Sequence, residues 1–300
     1  MPRLLPLLGI LALLPPAALA RDVSYHGDLA PLNITPTFDK GHLAVYEGLH
    51  TISLYGPDGT RAYKATAQVP GERSWNVVNA APDSDGSLVM AVEYLARGSF
   101  KGGGFAVFDR KGTQSGFIDT GAEWWPTQAC IAPDHTIWAM GWRGPDRQQT
   151  SDDYYVLRNY SRDGQLLSAY LPRSSFEQDP VGPIVGGWQL RCANGRIGGM
   201  FYATSLLRPG EERRSPQWIE LNPYGSVVRR VEMPKMSISA FTDTGALYAR
   251  GYEGGYFVFD SAANAWRPTT LGQSRGLLGA DGDSLVFLSR PNTVVWQPLP

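Results

Sequence analysis

The stretch from Pro82 to Thr120 decides the fold, because the rest of the chain repeats its pattern. It is predicted to contain, in order, a turn, a strand, a chain break, a strand, a turn and a third strand: Asp83-Ser-Asp-Gly86, Ser87-Leu-Val-Met-Ala-Val-Glu-Tyr94, Gly102-Gly-Gly104, Phe105-Ala-Val-Phe108, Asp109-Arg-Lys-Gly112 and residues 113–119. A single β-meander of this kind leaves both faces of its sheet in water. Several meanders stacked around one axis bury those faces, which favours a propeller.

Six such units can be aligned along the chain. Each begins with a turn that is often Asp-Gly or Asn-Gly, and these residues tolerate the positive φ of tight hairpins. The six turns are Phe38-Asp-Lys-Gly41, Asp83-Ser-Asp-Gly86, Pro133-Asp-His135, Ala193-Asn-Gly195, Thr242-Asp-Thr-Gly245 and Asp281-Gly-Asp283. The strands alternate with period two, and no long helical stripe is present. The sequence therefore predicts an all-β fold, a single six-bladed β-propeller of four-stranded antiparallel meanders in residues 21–300.

The sixth unit reaches the end of the chain after three strands. We expect the segment from Val23 to Leu32, which precedes the first complete unit, to supply the outer strand of the last blade. This arrangement closes the ring and removes the free sheet edges at the seam. Five or seven blades are the alternatives in blade number. Two smaller β-domains are the competing architecture, which the absence of a linker between units disfavours.

Residues 1–20 have the features of a secretory signal peptide. Arg3 supplies the positive charge, residues 4–14 form a short apolar segment, and Ala18-Leu-Ala20 fits a cleavage site. The apolar segment is too short for a typical membrane span, although a retained N-terminal anchor is the alternative. We therefore expect a mature chain that begins at Arg21 and is secreted or periplasmic, without membrane insertion.

The composition is that of a folded protein, with 43% hydrophobic and 18% charged residues. The formal net charge of −1 gives no broad basic field. Nucleic acids and anionic membrane surfaces are therefore disfavoured as partners. We expect a monomer.

Cys130 and Cys192 are the only two cysteines. They occupy matching places in two units of the repeat, and disulfides persist in exported proteins. The sequence allows two interpretations, a disulfide or two buried thiols on neighbouring strands.

One unit resembles a known repeat family. Gly254-Gly-Tyr-Phe-Val-Phe-Asp260 followed by Asn264-Ala-Trp266 is similar to part of a kelch repeat, in which a double glycine and a tyrosine precede a turn and a tryptophan. The other units, with their Asp-Gly turns, resemble the exported six-bladed propellers of the NHL type. Both resemblances imply the fold, and neither implies an activity, because propellers carry many unrelated functions.

Three neighbouring units have long predicted connections between their second and third strands: Leu95 to Gly104, Trp142 to Asp153 and Thr204 to Pro216. The innermost strands of the same units begin on that face, and long loops on a rigid scaffold often carry binding residues. The candidate ligand-binding residues are Trp75, Asn76, Glu123, Trp124, Trp125, Gln128, Trp188, Gln189 and Arg191. Indole faces and these polar groups suit a glycan, peptide or protein, and Arg191 suits a carboxylate. The alternative is that the tryptophans only pack between blades.

The sequence has no recognisable catalytic motif. We therefore expect an exported binding protein without a catalytic residue, metal or cofactor. The alternative is a hydrolase of the calcium-dependent lactonase type, which this chain resembles in predicted blade number and secretion. That resemblance implies a calcium ion near the propeller axis, with Glu123, Asn76, Gln128 and Gln189 as candidate ligands. Calcium prefers several oxygens and usually more than one carboxylate, and this set contains one.

Overall fold

The computed structural model describes residues 21–25, 36–71, 74–96, 99–122, 124–143, 154–176, 184–204, 216–233, 235–271, 276–289 and 292–299. The predicted signal peptide and Glu123 lie outside the described residues. Within them the chain forms six four-stranded antiparallel sheets, which are the six predicted blades. The fold prediction is therefore confirmed.

The strands are numbered in chain order. Blade 1 contains β2 (Thr37–Asp39), β3 (His42–Tyr46), β4 (Thr51–Tyr55) and β5 (Arg61–Thr66). Blade 2 contains β6 (Trp75–Pro82), β7 (Leu88–Ala96), β8 (Ser99–Phe108) and β9 (Gln114–Gly121). Blade 3 contains β10 (Trp124–Ile131), β11 (Ile137–Arg143), β12 (Tyr155–Tyr160) and β13 (Leu166–Pro172). Blade 4 contains β14 (Ile184–Ala193), β15 (Arg196–Thr204), β16 (Gln217–Leu221) and β17 (Val227–Glu232).

Blade 5 contains β18 (Met236–Phe241), β19 (Leu247–Gly251), β20 (Tyr256–Asp260) and β21 (Ala265–Thr269). Blade 6 contains β22 (Gly276–Asp281), β23 (Ser284–Ser289), β24 (Thr293–Pro298) and β1 (Arg21–Ser24). A 3-10 turn at Arg173–Ser175 follows β13. None of the described segments is a helix with the length and hydropathy of a membrane span.

Strand β1 completes the last blade. It pairs antiparallel with β24, and Arg21 lies opposite Trp296. The guanidinium of Arg21 also lies 4.9 Å from the centre of the Trp296 ring. The observed strand begins two residues before the predicted segment, and residues 26–35 lie outside the described part of the chain.

The core lies between the blades. Five clusters of buried residues join neighbouring blades around the ring, and the largest spans blades 2, 3 and 4. Aromatic pairs mark two of these contacts. Trp218 of blade 4 lies 5.9 Å from Phe241 of blade 5, and Tyr256 of blade 5 lies 5.5 Å from Phe287 of blade 6. Each sheet face is therefore buried against its neighbour, as the propeller prediction requires.

The predicted chain break at Gly102-Gly-Gly104 is wrong. These glycines lie inside β8, which pairs with β7 as far as Ala96 opposite Ser99. A Cβ atom on Gly103 would lie 2.4 Å from the Cβ of Trp125 in blade 3. Gly103 is needed because blade 3 approaches closely here, whereas a Cβ on Gly102 or Gly104 would meet β7 and β9 of blade 2 itself. The predicted loop from Leu95 to Gly104 is consequently a hairpin extension, whereas residues 144–153 and 205–215 of the other two loops lie outside the described residues.

The short turns gather on one face of the disc, which we call the turn face. Asp83, in the first turn of blade 2, is 1% exposed and accepts hydrogen bonds from Lys40 of blade 1 and from His135 and Arg162 of blade 3. The donor–acceptor distances are 3.2, 2.8 and 2.6 Å. Burial would raise the pKa of Asp83, but the hydrogen bond from His135 and the charge of Lys40 outweigh it, so this pKa is below its ordinary value. The carboxylate of Asp83 thus joins three blades.

Candidate functional site

The innermost strands enclose a cavity of about 300 Å³ on the propeller axis, which we call the axial cavity. Among the described residues, innermost strands of five blades contribute to its lining. Its polar lining residues are Thr37, Asp39, Tyr46, Asn79, Gln128, Gln189 and Arg191. Apolar side chains such as Val78, Leu190 and Leu278 complete the wall. A concave site in which polar groups converge beside apolar side chains is typical of small-ligand sites.

β-bulges place the polar groups on the cavity wall. Five of the six innermost strands have a register shift against their second strand: β6, β10, β14, β18 and β22. The first paired residues after the shift in three successive blades are Asn79, Gln128 and Arg191. A bulge changes the direction of a side chain locally. It therefore provides one repeated means of directing polar side chains toward the axis.

Asn79 and Gln128 form a linked amide pair. The Nδ2 of Asn79 donates to Oε1 of Gln128 at 3.3 Å, while the Oδ1 of Asn79 accepts from the backbone N of Ala129 at 2.8 Å. These bonds connect the innermost strands of blades 2 and 3. They also fix the orientation of both amides at the cavity wall.

Gln189 has a backbone conformation that its residue type rarely adopts. Its φ is +60°, and it lies at the bulge of β14. A left-handed conformation costs a non-glycine residue about 1–2 kcal/mol. Residues under such strain are concentrated at functional sites, which makes Gln189 a candidate residue of the axial cavity.

Arg191 extends across the axis. Its Nη1 donates to the carbonyl of Phe38 in blade 1 at 3.3 Å, and its Nη2 donates to the carbonyl of Leu278 in blade 6 at 2.9 Å. Its Nε is buried without a hydrogen-bond partner among the described residues. A Cβ on Gly279 would lie 2.7 Å from the Phe38 carbonyl oxygen, so a side chain there would disturb this arrangement. The guanidinium of Arg191, which belongs to blade 4, thus connects the innermost strands of blades 1 and 6 across the axis.

Arg191 also lines a second cavity. A smaller one of about 50 Å³ shares Asp39 and Arg191 with the axial cavity and adds Asp243 and Asp281 from the turns of blades 5 and 6. Burial raises the pKa of Asp39 above its ordinary value, while the charges of Arg191 and Lys40 oppose this shift. Burial also raises the pKa of Tyr46 to about 12, so its hydroxyl is neutral at physiological pH.

The two cysteines form a disulfide beside these residues. The Cα atoms of Cys130 in β10 and Cys192 in β14 are 5.6 Å apart, within the usual range for a bridge. The bond joins blades 3 and 4 directly next to Arg191 and two residues from Gln128. The disulfide interpretation is therefore confirmed, and the two free thiols are excluded.

The candidate tryptophans do not line the axial cavity in the described part of the chain. Trp124 and Trp125 are buried, and the Nε1 of Trp124 donates to the carbonyl of Tyr155. Trp75 is half-buried and stacks on His50 of blade 1 with ring centres 4.7 Å apart. Trp75 thus packs between blades 1 and 2, whereas the hydrogen bond of Trp124 lies within blade 3. The side chain of Trp188 lies outside the described residues, as does Glu123.

Of the predicted polar residues, Gln128, Gln189 and Arg191 meet at the axial cavity, whereas Asn76 does not line it. The Nδ2 of Asn76 instead donates to Glu93 at 3.4 Å. Asn79 and Asp39 also line the cavity, although neither was among the predicted site residues. A polar residue within the otherwise apolar run from Val77 to Pro82 was the available signal for Asn79, because a buried amide requires a polar partner.

A larger groove of about 570 Å³ lies on the turn face between blades 2 and 3. Its charged groups bind one another. Arg110 donates to Asp85 at 3.0 Å, while His135 and Arg162 both bind Asp83. We regard the axial cavity as the better candidate despite its smaller volume, because the groove is open and its ionic groups already stabilise the turns.

The axial cavity fits a hard metal ion poorly. Its described lining contains one carboxylate, that of Asp39. The amide oxygens of Asn79 and Gln128 already accept hydrogen bonds. Within the described residues, no group of three or more His, Cys, Asp or Glu side chains is arranged to hold a metal ion.

No protein-family model matches the sequence, and a search of curated proteins finds no match. Solved structures share the fold. An oligogalacturonate lyase in complex with manganese is 13% identical with a TM-score of 0.53, and the alignment covers 89% of this chain and 76% of that one. The oligogalacturonate lyase from Vibrio parahaemolyticus has the same identity and coverages and a TM-score of 0.51. The β-propeller domain of Cps50 (Swd1) from Myceliophteria thermophila is 11% identical with a TM-score of 0.51, covering 94% of this chain and 100% of that domain. At these identities the similarity shows the propeller fold alone.

Proposed function

We propose that this protein is an exported, non-catalytic binding propeller that holds one polar unit of a glycan, peptide or protein ligand in its axial cavity. The observation that carries the proposal is the convergence of Asn79, Gln128, Gln189 and Arg191 on that cavity. Their amide and guanidinium groups supply donors and acceptors, and apolar side chains such as Val78 and Leu190 line the cavity beside them. A volume of about 300 Å³ is at the lower end of the range for small-ligand sites, about 300–1,000 Å³.

Export is supported by two independent features. Residues 1–20 have the pattern of a signal peptide. The bond between Cys130 and Cys192 suits an oxidising compartment, because cytosolic reductants keep most thiols reduced. Together they support a periplasmic or extracellular location for the proposed ligand.

A metal-dependent hydrolase is the second candidate, because Asp39 and three amides meet on the axis where such an enzyme would hold its ion. The donor set argues against it, as described above. Metal analysis of the purified protein after dialysis against chelator and then calcium separates the two functions. One tightly bound calcium ion per chain would favour the hydrolase, whereas binding of a polar ligand without metal supports the binding protein.

The proposed site is tested with oligosaccharide and peptide panels and variants of its amides. Gln128→Ala should weaken binding of a captured ligand about tenfold, because one hydrogen bond to the ligand is lost. Isothermal calorimetry measures this change. Gln165→Ala is the matched control, because Gln165 is exposed on blade 3 and its described hydrogen bonds use only its backbone.

Equal affinities of wild type, Gln128→Ala and Gln165→Ala would place the ligand elsewhere on the protein. Thermal unfolding of all three proteins shows whether a loss of binding reflects a loss of folding. If no member of either panel binds, the binding function itself is rejected.

A further inference from the structure

The side chains of Asn79 and Gln128 form a chain of hydrogen bonds whose direction is fixed at one end. The backbone N–H of Ala129 can only donate, so the atom of Asn79 that lies 2.8 Å from this nitrogen is the amide oxygen. The other end of the Asn79 amide is its NH₂ group, which also only donates. It lies 3.3 Å from Gln128, which must therefore present its oxygen. Asn79 is 6% exposed, so this order is set inside the protein.

The remaining end of this chain is the Nε2 group of Gln128. It has no hydrogen-bond partner among the described residues, and it is accessible, in contrast to the buried Nε of Arg191. Gln128 lines the axial cavity but neither the smaller cavity nor the groove on the turn face. The axial cavity therefore contains an open donor whose orientation the protein sets, and the group that binds it must be an acceptor.

From this geometry we infer that Gln128 donates to a carbonyl oxygen of the ligand and that Asn79 is its positioning residue. The inference rests on the proposed binding function and narrows its ligand class to compounds with an N-acyl group. A carbonyl oxygen only accepts, so it matches an NH₂ group that only donates. Val78, Leu190 and Leu278 line the same cavity and suit the alkyl part of the acyl group.

The N-acyl group has two chemical sources, an N-acetylated sugar or a peptide. Wild-type protein is therefore titrated with two pairs of neutral probes, in which the acetyl oxygen is kept or replaced by sulfur. The first pair is N-acetylglucosamine and N-thioacetylglucosamine, and the second is N-acetylalaninamide and N-thioacetylalaninamide. Sulfur is the weaker acceptor. At least one oxygen probe should bind about fivefold more tightly than its sulfur analogue, and the pair that shows this difference identifies the source.

Gln128→Ala separates the hydrogen bond from the larger size of sulfur. Without the Nε2 donor, the preferred oxygen probe and its sulfur analogue should bind with affinities that differ by less than about twofold. A preference for oxygen that persists in this variant would assign the recognition to another group.

Asn79→Asp tests the positioning role and leaves Gln128 in place. A carboxylate has no hydrogen to donate, so it accepts from both Ala129 and Gln128, and the Gln128 amide turns its oxygen toward the cavity. The oxygen probe should then bind about tenfold more weakly, because two acceptors face each other. The preference for oxygen over sulfur should also be lost, whereas a purely structural effect would weaken both probes equally. Asn264→Asp is the matched control, because Asn264 is exposed in a turn of blade 5, and it should leave the affinity unchanged.

If Asn79→Asp does not fold, the side-chain NH₂ resonances of the ¹⁵N-labelled wild-type protein are followed during titration with the oxygen probe. The resonances of Gln128 are assigned by their absence from the spectrum of Gln128→Ala. They should move saturably, and those of the exposed Gln165 should not move.

Several results would overturn the inference. They are no binding of either oxygen probe at about 10 mM, equal binding of oxygen and sulfur analogues in both pairs, a preference that Gln128→Ala or Asn79→Asp leaves unchanged, and Gln128 resonances that do not move. The proposed function survives these results if another ligand binds and depends on Gln128. Absence of all ligand binding instead rejects both proposals.

Discussion

Gln189 adopts a conformation that a glycine would adopt without strain. Gln189→Gly should therefore leave the free energy of unfolding unchanged or raise it by about 1 kcal/mol, because the left-handed strain is relieved. Ligand affinity should fall about tenfold, since the amide is lost. Chemical denaturation and calorimetry on the same preparations measure both quantities. A variant that loses stability and keeps full affinity would show that the strain serves the fold and not the site.

Asp83 has a different role, since its carboxylate holds three blades together. Asp83→Asn should lower the free energy of unfolding at pH 7 by about 3 kcal/mol, because a buried carboxylate that accepts charged donors is replaced by a neutral amide. Denaturation of the variant beside Asp22→Asn, an exposed position in β1, measures the difference.

The effect of Asp83 should depend on pH in a defined direction. Its folded-state pKa is lowered, so its contribution is complete above the unfolded pKa of about 3.9 and is lost as pH falls through the folded value. The stability difference between wild type and Asp83→Asn should therefore be constant near neutral pH and shrink below pH of about 4. A difference that is independent of pH down to acid denaturation would contradict this assignment.

The positions of single side chains were harder to predict from the sequence than the strands or the fold. Gln128, Gln189 and Arg191 were found because they belong to innermost strands, which a repeat alignment locates. They lie in the second half of β10 and β14 and not at the strand starts, where they were predicted. Asp39 belongs to a short first strand whose turn, Phe38-Asp-Lys-Gly41, looks like ordinary hairpin chemistry. The sequence could not tell whether the tryptophans pack or bind a ligand, because an indole between blades and an indole that faces a ligand have the same sequence pattern.

Among the strands, β8 shows how close packing controls local sequence. Gly103→Ala should destabilise the protein by about 2 kcal/mol or more, because the added methyl would overlap Trp125 and Pro126 of blade 3. Gly116→Ala in β9 is the control in the same blade, with open space at its Cβ and no positive φ. Thermal unfolding of the two variants provides the test, and equal melting temperatures would show that the blades can separate without cost.

Turns predicted the strands well and glycine runs predicted them badly. The turn residues limit the local φ angles, so a pattern such as Asp83-Ser-Asp-Gly86 locates a hairpin by itself. The run Gly102-Gly-Gly104 has the same composition as a chain break. Its true cause is close packing against blade 3 at Gly103 and against the neighbouring strands of blade 2 at Gly102 and Gly104, which local sequence does not show.

Across the whole molecule, the bond between Cys130 and Cys192 is the covalent tie between blades 3 and 4. It closes a loop with a sequence separation of 62 residues, for which the loop-entropy estimate is about 4 kcal/mol. The double variant Cys130→Ala/Cys192→Ala should lose stability up to this amount. Wild-type protein in reductant should behave similarly, and unchanged unfolding midpoints in both would contradict the expected contribution. Because the bond adjoins Gln128 and Arg191, ligand affinity should fall as well.

The fold as a whole was predictable because its signal is repeated six times, so that an error in one unit does not change the architecture. The cavity lining was predicted only in part, because its full set of residues depends on bulges that move single residues in several blades at once. No local pattern in one strand shows what the other five place opposite it.

The pairing of β1 with β24 has a consequence for how the protein is made. These two strands are separated by almost the entire polypeptide, and a chain synthesised from its N terminus must keep β1 unpartnered until blade 6 has emerged. Closure is therefore a single late event. Any shortened chain that stops before Thr293 leaves both the first strand and the last sheet available to proteases and to other chains.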